Sequence, residues 1–330
     1  MRVKAREAKE WARTLRGIFD NFPTPYTEEG GIDEATLREL VRYHFEHMNS
    51  DGLIGFGAEF LFFTKEERKR HAEIIVDEAA RVRPGAPVIV QPLCVSVEET
   101  VELTRHAAEV GAAAVMIRNP VLATDENGIY DFYKYVADNT DIPIVIMNIQ
   151  GVGGAFTMSP QFIARMAREM PAVCAIKNPA GANHCIALKR LAGDDMVVPC
   201  LDSYALMSGV INPLGLVDAV SIGRASVLFQ TPGDLILRDF VLSCAEGRLA
   251  HAAELFFGRL NHLFKLYYEV VMRPTLGGGM GYSQVLVKYW ASLLGVPVGS
   301  PIAKPPVSAT TNELKEKIRS GLTSAGLISS

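Results

Sequence analysis

The stretch that decides the fold is SVEETVELTRHAAEVGAAAVMI, residues 96–117. Ser96 and Glu99 have the spacing of a helix-capping box, so a helix is predicted to begin at this point. Gly111 is the expected end of that helix, since glycine is favoured just past a helix C-terminus. The apolar run 113–117 follows at once and lacks polar alternation, which is typical of a strand buried on both faces. The stretch therefore predicts one unit of a parallel α/β fold.

The same unit recurs along the chain. Eight apolar runs are separated by helical patterns: 17–22, 52–56, 87–93, 113–117, 142–147, 172–176, 196–200 and 218–222. Eight strand–helix repeats predict a closed (β/α)₈ TIM barrel. An open, doubly wound parallel sheet is the alternative, but no Gly-x-Gly-x-x-Gly motif follows the first strand. The barrel is favoured.

Three regions are expected along the chain. Residues 1–16 form an N-terminal extension, residues 17–249 form the barrel, and residues 250–330 form a helical region packed on it. No low-complexity linker precedes this last region, which indicates a packed appendage rather than a free domain. A glycine-rich run at 277–281 separates two of its helical patterns, and a lid or a tight inter-helix loop is expected there.

Composition and charge exclude several classes of protein. Among 330 residues, 48% are hydrophobic and 21% are charged, which excludes a disordered, collagenous or coiled-coil chain. A formal charge of −4 with no basic run argues against nucleic acid and anionic membranes as partners. The N-terminus has no signal-peptide pattern, and no apolar run reaches the ~20 residues of a membrane helix. Five cysteines without paired spacing predict reduced thiols in a cytoplasmic protein.

In a (β/α)₈ barrel the active site lies at the carboxyl ends of the strands. The predicted strand ends supply the candidate substrate-binding residues Thr24, Gly57, Arg118, Asn148, Asp202 and Ser203, together with Glu59 as a candidate acid or base. Arg118 has a second interpretation as a structural ion pair at a subunit contact, and Asp202 as a helix cap. Glu59 also has a second interpretation, as a helix-capping or ion-paired group.

The sixth apolar run carries the strongest chemical signal, because it ends in Lys177. A lysine at the mouth of an apolar barrel is partly desolvated, which lowers the pKa of its amine and leaves a neutral nucleophile. Attack on a ketone then gives an iminium, an electron sink suited to C–C cleavage, aldol addition or β-elimination. The competing interpretation is an ordinary solvated lysine at a strand end.

Several motifs in order along the chain are similar to those of one family. They are PTPY at 23–26, GIDE at 31–34, DGLIGFGAE at 51–59, TKEER at 64–68, GAAAVM at 111–116, IPIVIMN at 142–148, AIK at 175–177, VKYW at 287–290 and SAGL at 324–327. On these motifs the chain resembles the dihydrodipicolinate synthase / N-acetylneuraminate lyase superfamily of class I aldolases and dehydratases. The resemblance implies that Lys177 is the Schiff-base lysine, and that no metal or nucleotide cofactor is required.

Four departures from the family pattern bear on the reaction. Met147 stands where synthases and lyases carry a proton-shuttling tyrosine, and Val152 stands where a carboxylate-binding residue is usual. Phe56-Gly57 replaces the Thr-Thr relay, and Val121-Leu122 replaces an aromatic pair. A true dihydrodipicolinate synthase is therefore not expected. Residues 162–169 and 179–183 resemble most the 2-keto-3-deoxy-L-arabinonate dehydratase-like branch, although Pro120-Val121 departs from it.

The resulting expectation is a Schiff-base lyase, either a dehydratase or a retro-aldolase, acting on a short 2-oxo acid such as a 2-keto-3-deoxy sugar acid. The alternative is a barrel of the same family that has lost catalysis and acts as a binding or regulatory protein. The family resemblance also implies a homotetramer built as a dimer of dimers, with apolar packing near Val121 and Leu122.

Overall fold

The computed structural model describes residues 3–55, 62–92, 96–120, 125–148, 157–199, 218, 220–272, 280–304 and 311–329. Seven strands form one parallel sheet in the order β6-β5-β4-β3-β2-β1-β7. They are β1 (Gly17–Asn21), β2 (Gly52–Ile54), β3 (Val88–Val90), β4 (Ala114–Arg118), β5 (Ile144–Met147), β6 (Val173–Lys177) and β7 (Val220–Gly223). Each coincides with one of the predicted apolar runs.

The remaining predicted run, 196–200, closes the ring. Its residues form two isolated parallel bridges, Ala175 with Val197 and Pro199 with Asp218. The first joins the run to β6, and the second joins it to the residue that lies two positions before β7. Since β7 also pairs with β1 along its whole length, the strands form a closed barrel. The predicted TIM barrel is confirmed.

Helices alternate with the strands from β1 to the run 196–200, and a first helix precedes β1. They are α1 (Ala8–Arg13), α2 (Glu34–Glu46), α3 (Lys65–Val82), α4 (Val97–Val110), α5 (Glu126–Asp138), α6 (Pro160–Glu169), α7 (Ala182–Ala192), α8 (Ala225–Leu228), α9 (Ile236–Ala245), α10 (Leu249–Leu255), α11 (Asn261–Tyr267), α12 (Met280–Leu293) and α13 (Asn312–Ser324). Short 3₁₀ turns lie at Ala5–Glu7 and Gly193–Asp195, and π-helical turns at Phe256–Leu260 and Tyr268–Met272.

Local sequence signals set the ends of α4. The Ser96 side chain accepts a hydrogen bond from the backbone N–H of Glu99, so the predicted start is confirmed. Gly111 ends the helix with φ of 99°, in the left-handed region that glycine adopts without a steric penalty. The short turn that follows leads the chain straight into β4.

Two apolar layers surround the strands. Alternate strand residues such as Phe19, Ile89 and Met116 form an inner cluster that also contains Ala12 of α1. The other residues of the same strands, Ile18 among them, pack outward against the helices. Because α1 meets the amino-terminal ends of the strands, it closes that end of the barrel and leaves the carboxyl end as the mouth.

The C-terminal helices pack on the barrel side. The indole N–H of Trp290 in α12 donates to the backbone oxygen of Leu228 at 2.7 Å. The rings of Phe229 and Phe264 meet edge to face with their centroids 4.4 Å apart. These contacts agree with a packed appendage, while the exact region boundaries at 16 and 249 stay predictions. Within the described ranges, no helix has both the length and the apolar character needed to cross a bilayer.

Candidate active site

A β-bulge in β6 determines where Lys177 points. The pairing with β5 slips by one residue, since Ile144 pairs with Val173 while Val145 pairs with Ala175. Cys174 and Ala175 consequently both belong to the inner cluster. Ile176 then faces outward, and Lys177 faces into the barrel. Without the extra residue, strict alternation would turn this lysine toward the helices.

The surroundings of Lys177 favour its neutral form. The side chain is half-buried at the last position of β6. Burial, assisted by the positive charge of Arg224, lowers the pKa of the Lys177 amine from 10.5 to about 7. A substantial fraction of the amine is therefore unprotonated and nucleophilic near neutral pH.

Arg224 directly follows β7. Val220 of this strand belongs to the inner cluster, so alternation directs Arg224 inward as well. In the described part of the chain, its Nη1 atom is buried and has no hydrogen-bond partner. Two cationic side chains thus approach each other at the mouth of the barrel.

Met147 and Arg118 complete the row of residues beside Lys177. Met147 pairs with Lys177 on one side and with Arg118 on the other. Met147 belongs to the inner cluster and carries no group that can exchange a proton. Arg118 is 1% exposed at the end of β4, and this burial lowers the pKa of its guanidinium.

A hydrogen-bond network fixes the residue after Lys177. The Asn178 side-chain oxygen accepts from the Asn148 amide at 3.1 Å, and its amide lies 2.9 Å from Nδ1 of His184. Nε2 of His184 lies 2.9 Å from the Met158 carbonyl oxygen. Nε2 must donate to that oxygen, so Nδ1 is the acceptor for Asn178. The Asn148 oxygen accepts from the Met158 N–H at 3.1 Å.

Thr24 lies just beyond β1 and is fully buried. Its hydroxyl is 3.2 Å from Nε2 of His71 in α3. Burial lowers the pKa of His71 to about 3, so the ring is neutral at physiological pH. The predicted residue Thr24 is therefore held by a neutral imidazole.

The structure describes some predicted site residues and not others. Lys177 and Arg118 lie at the barrel mouth, while Thr24 and Asn148 are buried beside the strand ends. Glu59, Gly57, Asp202 and Ser203 lie outside the described residues, as do Phe56, Val121, Leu122, Val152 and most of the run 277–281.

Three features of the site could not be assigned from the sequence. Arg224 stands at a predicted strand end, and its charge is the signal that could have marked it as a candidate site residue. The roles of Asn178 and His184 depend on side chains that meet only after folding. The bulge at Cys174 has no signature in a run of apolar residues. Among the described residues, no three His, Cys, Asp or Glu side chains could together hold a metal ion.

Comparison with known proteins identifies the family. The sequence model of the Dihydrodipicolinate synthetase family matches residues 14–325. A 4-hydroxy-tetrahydrodipicolinate synthase of Thermus thermophilus is 29% identical over 315 residues, covering 92% of this chain and 94% of that protein. The enzyme of the same name from Methanothrix thermoacetophila is 28% identical over 323 residues, covering 94% of this chain and 96% of that protein.

Solved structures agree on the fold. YagE, a prophage protein of the dihydrodipicolinic acid synthase family from E. coli K12 in complex with pyruvate, has a TM-score of 0.79 at 21% identity, covering 95% of this chain and 99% of that one. CdNal from Clostridium difficile, in complex with mannosamine, has a TM-score of 0.74 at 20% identity, covering 94% of this chain and 99% of that one. The matches to the family, the relatives and the fold lead to one conclusion: the chain belongs to the dihydrodipicolinate synthetase family, whose members are lyases that use a lysine Schiff base.

Proposed function

We propose that the protein is a Schiff-base dehydratase or retro-aldolase acting on a short 2-oxo acid, such as a 2-keto-3-deoxy sugar acid. The observation that supports this most directly is the half-buried Lys177 amine with a pKa lowered to about 7. Burying a lysine amine inside a barrel costs folding free energy. Its neutral form is the one that can attack a carbonyl carbon.

The proposed chemistry begins at the C2 carbonyl. Neutral Lys177 attacks this carbon, and loss of water gives the iminium. In the dehydratase, a base takes a proton from C3 and the electron pair forms the enamine. The hydroxyl on C4 then takes up a proton and leaves as water, while the enamine electrons form the C3–C4 double bond and restore the iminium. In the retro-aldolase, the C4 hydroxyl loses its proton and the C3–C4 bond breaks, with its electrons passing to the iminium. The enamine left by this cleavage takes up a proton at C3, which restores the iminium. In both reactions water then hydrolyses the iminium, which releases the 2-oxo product and restores the lysine amine.

Other residues have proposed roles around this step. Arg118 binds the carboxylate at C1, and Thr24, Gly57, Asp202 and Ser203 contact the rest of the substrate. Glu59 or a bound water is the base. The Asn148 amide is fully buried and bonded to Asn178 and Met158, so we propose that it acts by positioning the loop that follows Lys177.

Synthase activity is a second candidate, because the relatives compared above are named 4-hydroxy-tetrahydrodipicolinate synthase. That reaction joins pyruvate to aspartate semialdehyde, and in the family a tyrosine beside the lysine passes protons. Met147 occupies that position and pairs directly with Lys177. Loss of a positioned proton-transfer group typically costs ~10²–10⁴-fold in rate. We therefore expect no useful synthase turnover.

Imine trapping tests the proposal. Borohydride added with pyruvate should attach a reduced pyruvyl group to Lys177, detected by peptide mass spectrometry. Lys177→Ala should remain folded and give no adduct, and Lys177→Arg should also fail because a guanidinium stays protonated. A panel of 2-keto-3-deoxy sugar acids should then identify a substrate, with aspartate semialdehyde plus pyruvate as the comparison.

Three results would count against this function. Absence of any adduct on the wild-type protein would favour the binding or regulatory alternative, and full turnover by Lys177→Ala would exclude the covalent mechanism. Rapid cyclic product formation from aspartate semialdehyde would establish the synthase instead. The expected homotetramer stays a prediction, which light scattering can measure.

A further inference from the structure

We infer that Arg224 binds a second carboxylate of the substrate, so that the preferred 2-oxo acid carries negative charge at both ends. This inference rests on the proposed function and specifies its substrate class. Arg224 directly follows β7 and is directed into the barrel, where it shares the mouth with Lys177.

The first argument is that Arg224 lacks a counter-ion within the described chain. No described carboxylate lies within ion-pair distance of its guanidinium, and the Nη1 atom is buried without a hydrogen-bond partner. Asp20, on the adjacent strand β1, is occupied elsewhere: its carboxylate lies 2.7 Å from Nδ1 of His44 and accepts from the Ser50 hydroxyl. A buried guanidinium donor without a partner is costly, and an anionic ligand would remove that cost.

The second argument is the placement of two guanidinium groups around the lysine. Arg118 lies two strands from Lys177 across β5, and Arg224 lies two strands away in the other direction, across the bridging run 197–199. Neighbouring strands are ~4.8 Å apart, so the backbone of Arg118, which is in register with Lys177 through Met147, lies about 10 Å from that of Lys177. The bridges place Lys177 level with Asp218, six residues before Arg224. Arg224 therefore lies nearer the rim of the barrel, where it would meet the distal end of a substrate attached to the lysine.

The number of carboxylates on the substrate decides how Arg118 and Arg224 are used. The C1 carboxylate is attached to the carbon that Lys177 attacks, and one arginine is enough to bind it. When Arg118 binds that carboxylate, a 2-oxo acid with a single carboxylate leaves the Arg224 guanidinium without a counter-ion. A second carboxylate farther along the chain would satisfy Arg224 through the paired N–H donors that arginine presents to planar anions.

The test uses two acids that differ only in the distal group. 2-Oxoglutarate and 2-oxopentanoate share the C1 carboxylate and the chain length, but only the former has a second carboxylate. Half-saturation of borohydride trapping at Lys177 is measured for each acid in wild type, Arg224→Gln and Arg224→Lys. Arg190→Gln serves as the control, since Arg190 is exposed on α7.

Wild type should favour 2-oxoglutarate. Arg224→Gln should raise the half-saturation concentration of 2-oxoglutarate relative to that of 2-oxopentanoate by about tenfold or more, and Arg224→Lys should recover part of the loss. The ratio of the two acids is the readout. Removing Arg224 also removes a cation that lowers the pKa of Lys177, which moves the trapping of both acids to higher pH alike.

The outcomes separate this inference from the proposed function. An unchanged ratio of the two half-saturation concentrations would overturn the second-carboxylate claim, whether both acids bind more weakly by the same factor or neither is affected. If wild-type Lys177 is trapped by neither acid nor by pyruvate, the proposed function itself fails.

Discussion

At the scale of single residues, the buried lysine sets a pH dependence of stability that is independent of any substrate. The pKa of Lys177 is about 7 in the folded protein against an ordinary 10.5. Between pH 7 and pH 10.5 the Lys177 amine is protonated in the unfolded chain but mostly neutral in the native protein. Unfolding then takes up a proton, so the free energy of unfolding rises with pH in this window, by up to about 1.4 kcal/mol per pH unit. Partial exposure of the side chain reduces this slope.

Lys177→Met should therefore be more stable than wild type at pH 7, and the difference should shrink as pH rises toward 10. Urea denaturation at pH 7, 8 and 9 measures the free energy of unfolding for both proteins. Lys265→Met, at an exposed position of α11, should keep the wild-type slope. If the stability difference between wild type and Lys177→Met does not vary with pH, Lys177 has an ordinary pKa.

At the same scale, the sequence singled out Lys177 and Arg118, but not the proximity of Arg224 to the lysine. Lys177 could be singled out because a strand-ending lysine is visible in the chain. Burial in the barrel lowers its pKa most, and the charge of Arg224, which lies 47 positions later in the sequence, lowers it further. The side chains of Lys177 and Arg224 approach each other only when the barrel closes, and no local sequence pattern predicts this proximity.

At the scale of elements, the segment after β6 holds the nucleophile in place. Asn178 joins Asn148 beyond β5 to His184 in α7. Asn178→Leu would leave both partners without their buried hydrogen bond, at a cost of about 1–3 kcal/mol. We expect the free energy of unfolding to fall by that amount. The rate of imine trapping should fall as well, because the Asn178 hydrogen bonds no longer hold the backbone next to Lys177 in place.

The matched control is Asn183→Leu, since Asn183 is exposed on the first turn of α7. It should change neither thermal stability nor the trapping rate appreciably. Wild-type trapping kinetics in Asn178→Leu would show that the network is dispensable for positioning the lysine.

The strands illustrate what periodicity can and cannot predict. Their positions followed from apolar composition, since a strand buried on both faces needs little else. The inward direction of Lys177 did not, because every residue from Val173 to Ile176 is apolar or a thiol and either face is compatible with it. The bulge is fixed by pairing with β5, a tertiary contact.

At the scale of the whole molecule, α1 closes the end of the barrel formed by the amino-terminal ends of the strands. Ala8, Ala12 and Leu15 belong to the inner cluster together with Phe19 of β1 and Val220 of β7. From sequence, residues 1–16 are expected to form an extension, because a short charged stretch gives no sign that its alanines enter a barrel. Ion pairing secures the helix from outside, with Lys9 3.0 Å from Asp195.

This arrangement predicts that a charge on the inner face of α1 destabilises the whole barrel. Ala12 is 1% exposed, so Ala12→Glu would bury an unpaired carboxylate and should lower the free energy of unfolding by about 3 kcal/mol or more. Ala80→Glu makes the same change at an exposed position of α3 and should stay within about 0.5 kcal/mol of wild type. Urea denaturation of both variants measures the difference. Equal stabilities would mean that α1 detaches without cost and that the inner cluster is held by the strands alone.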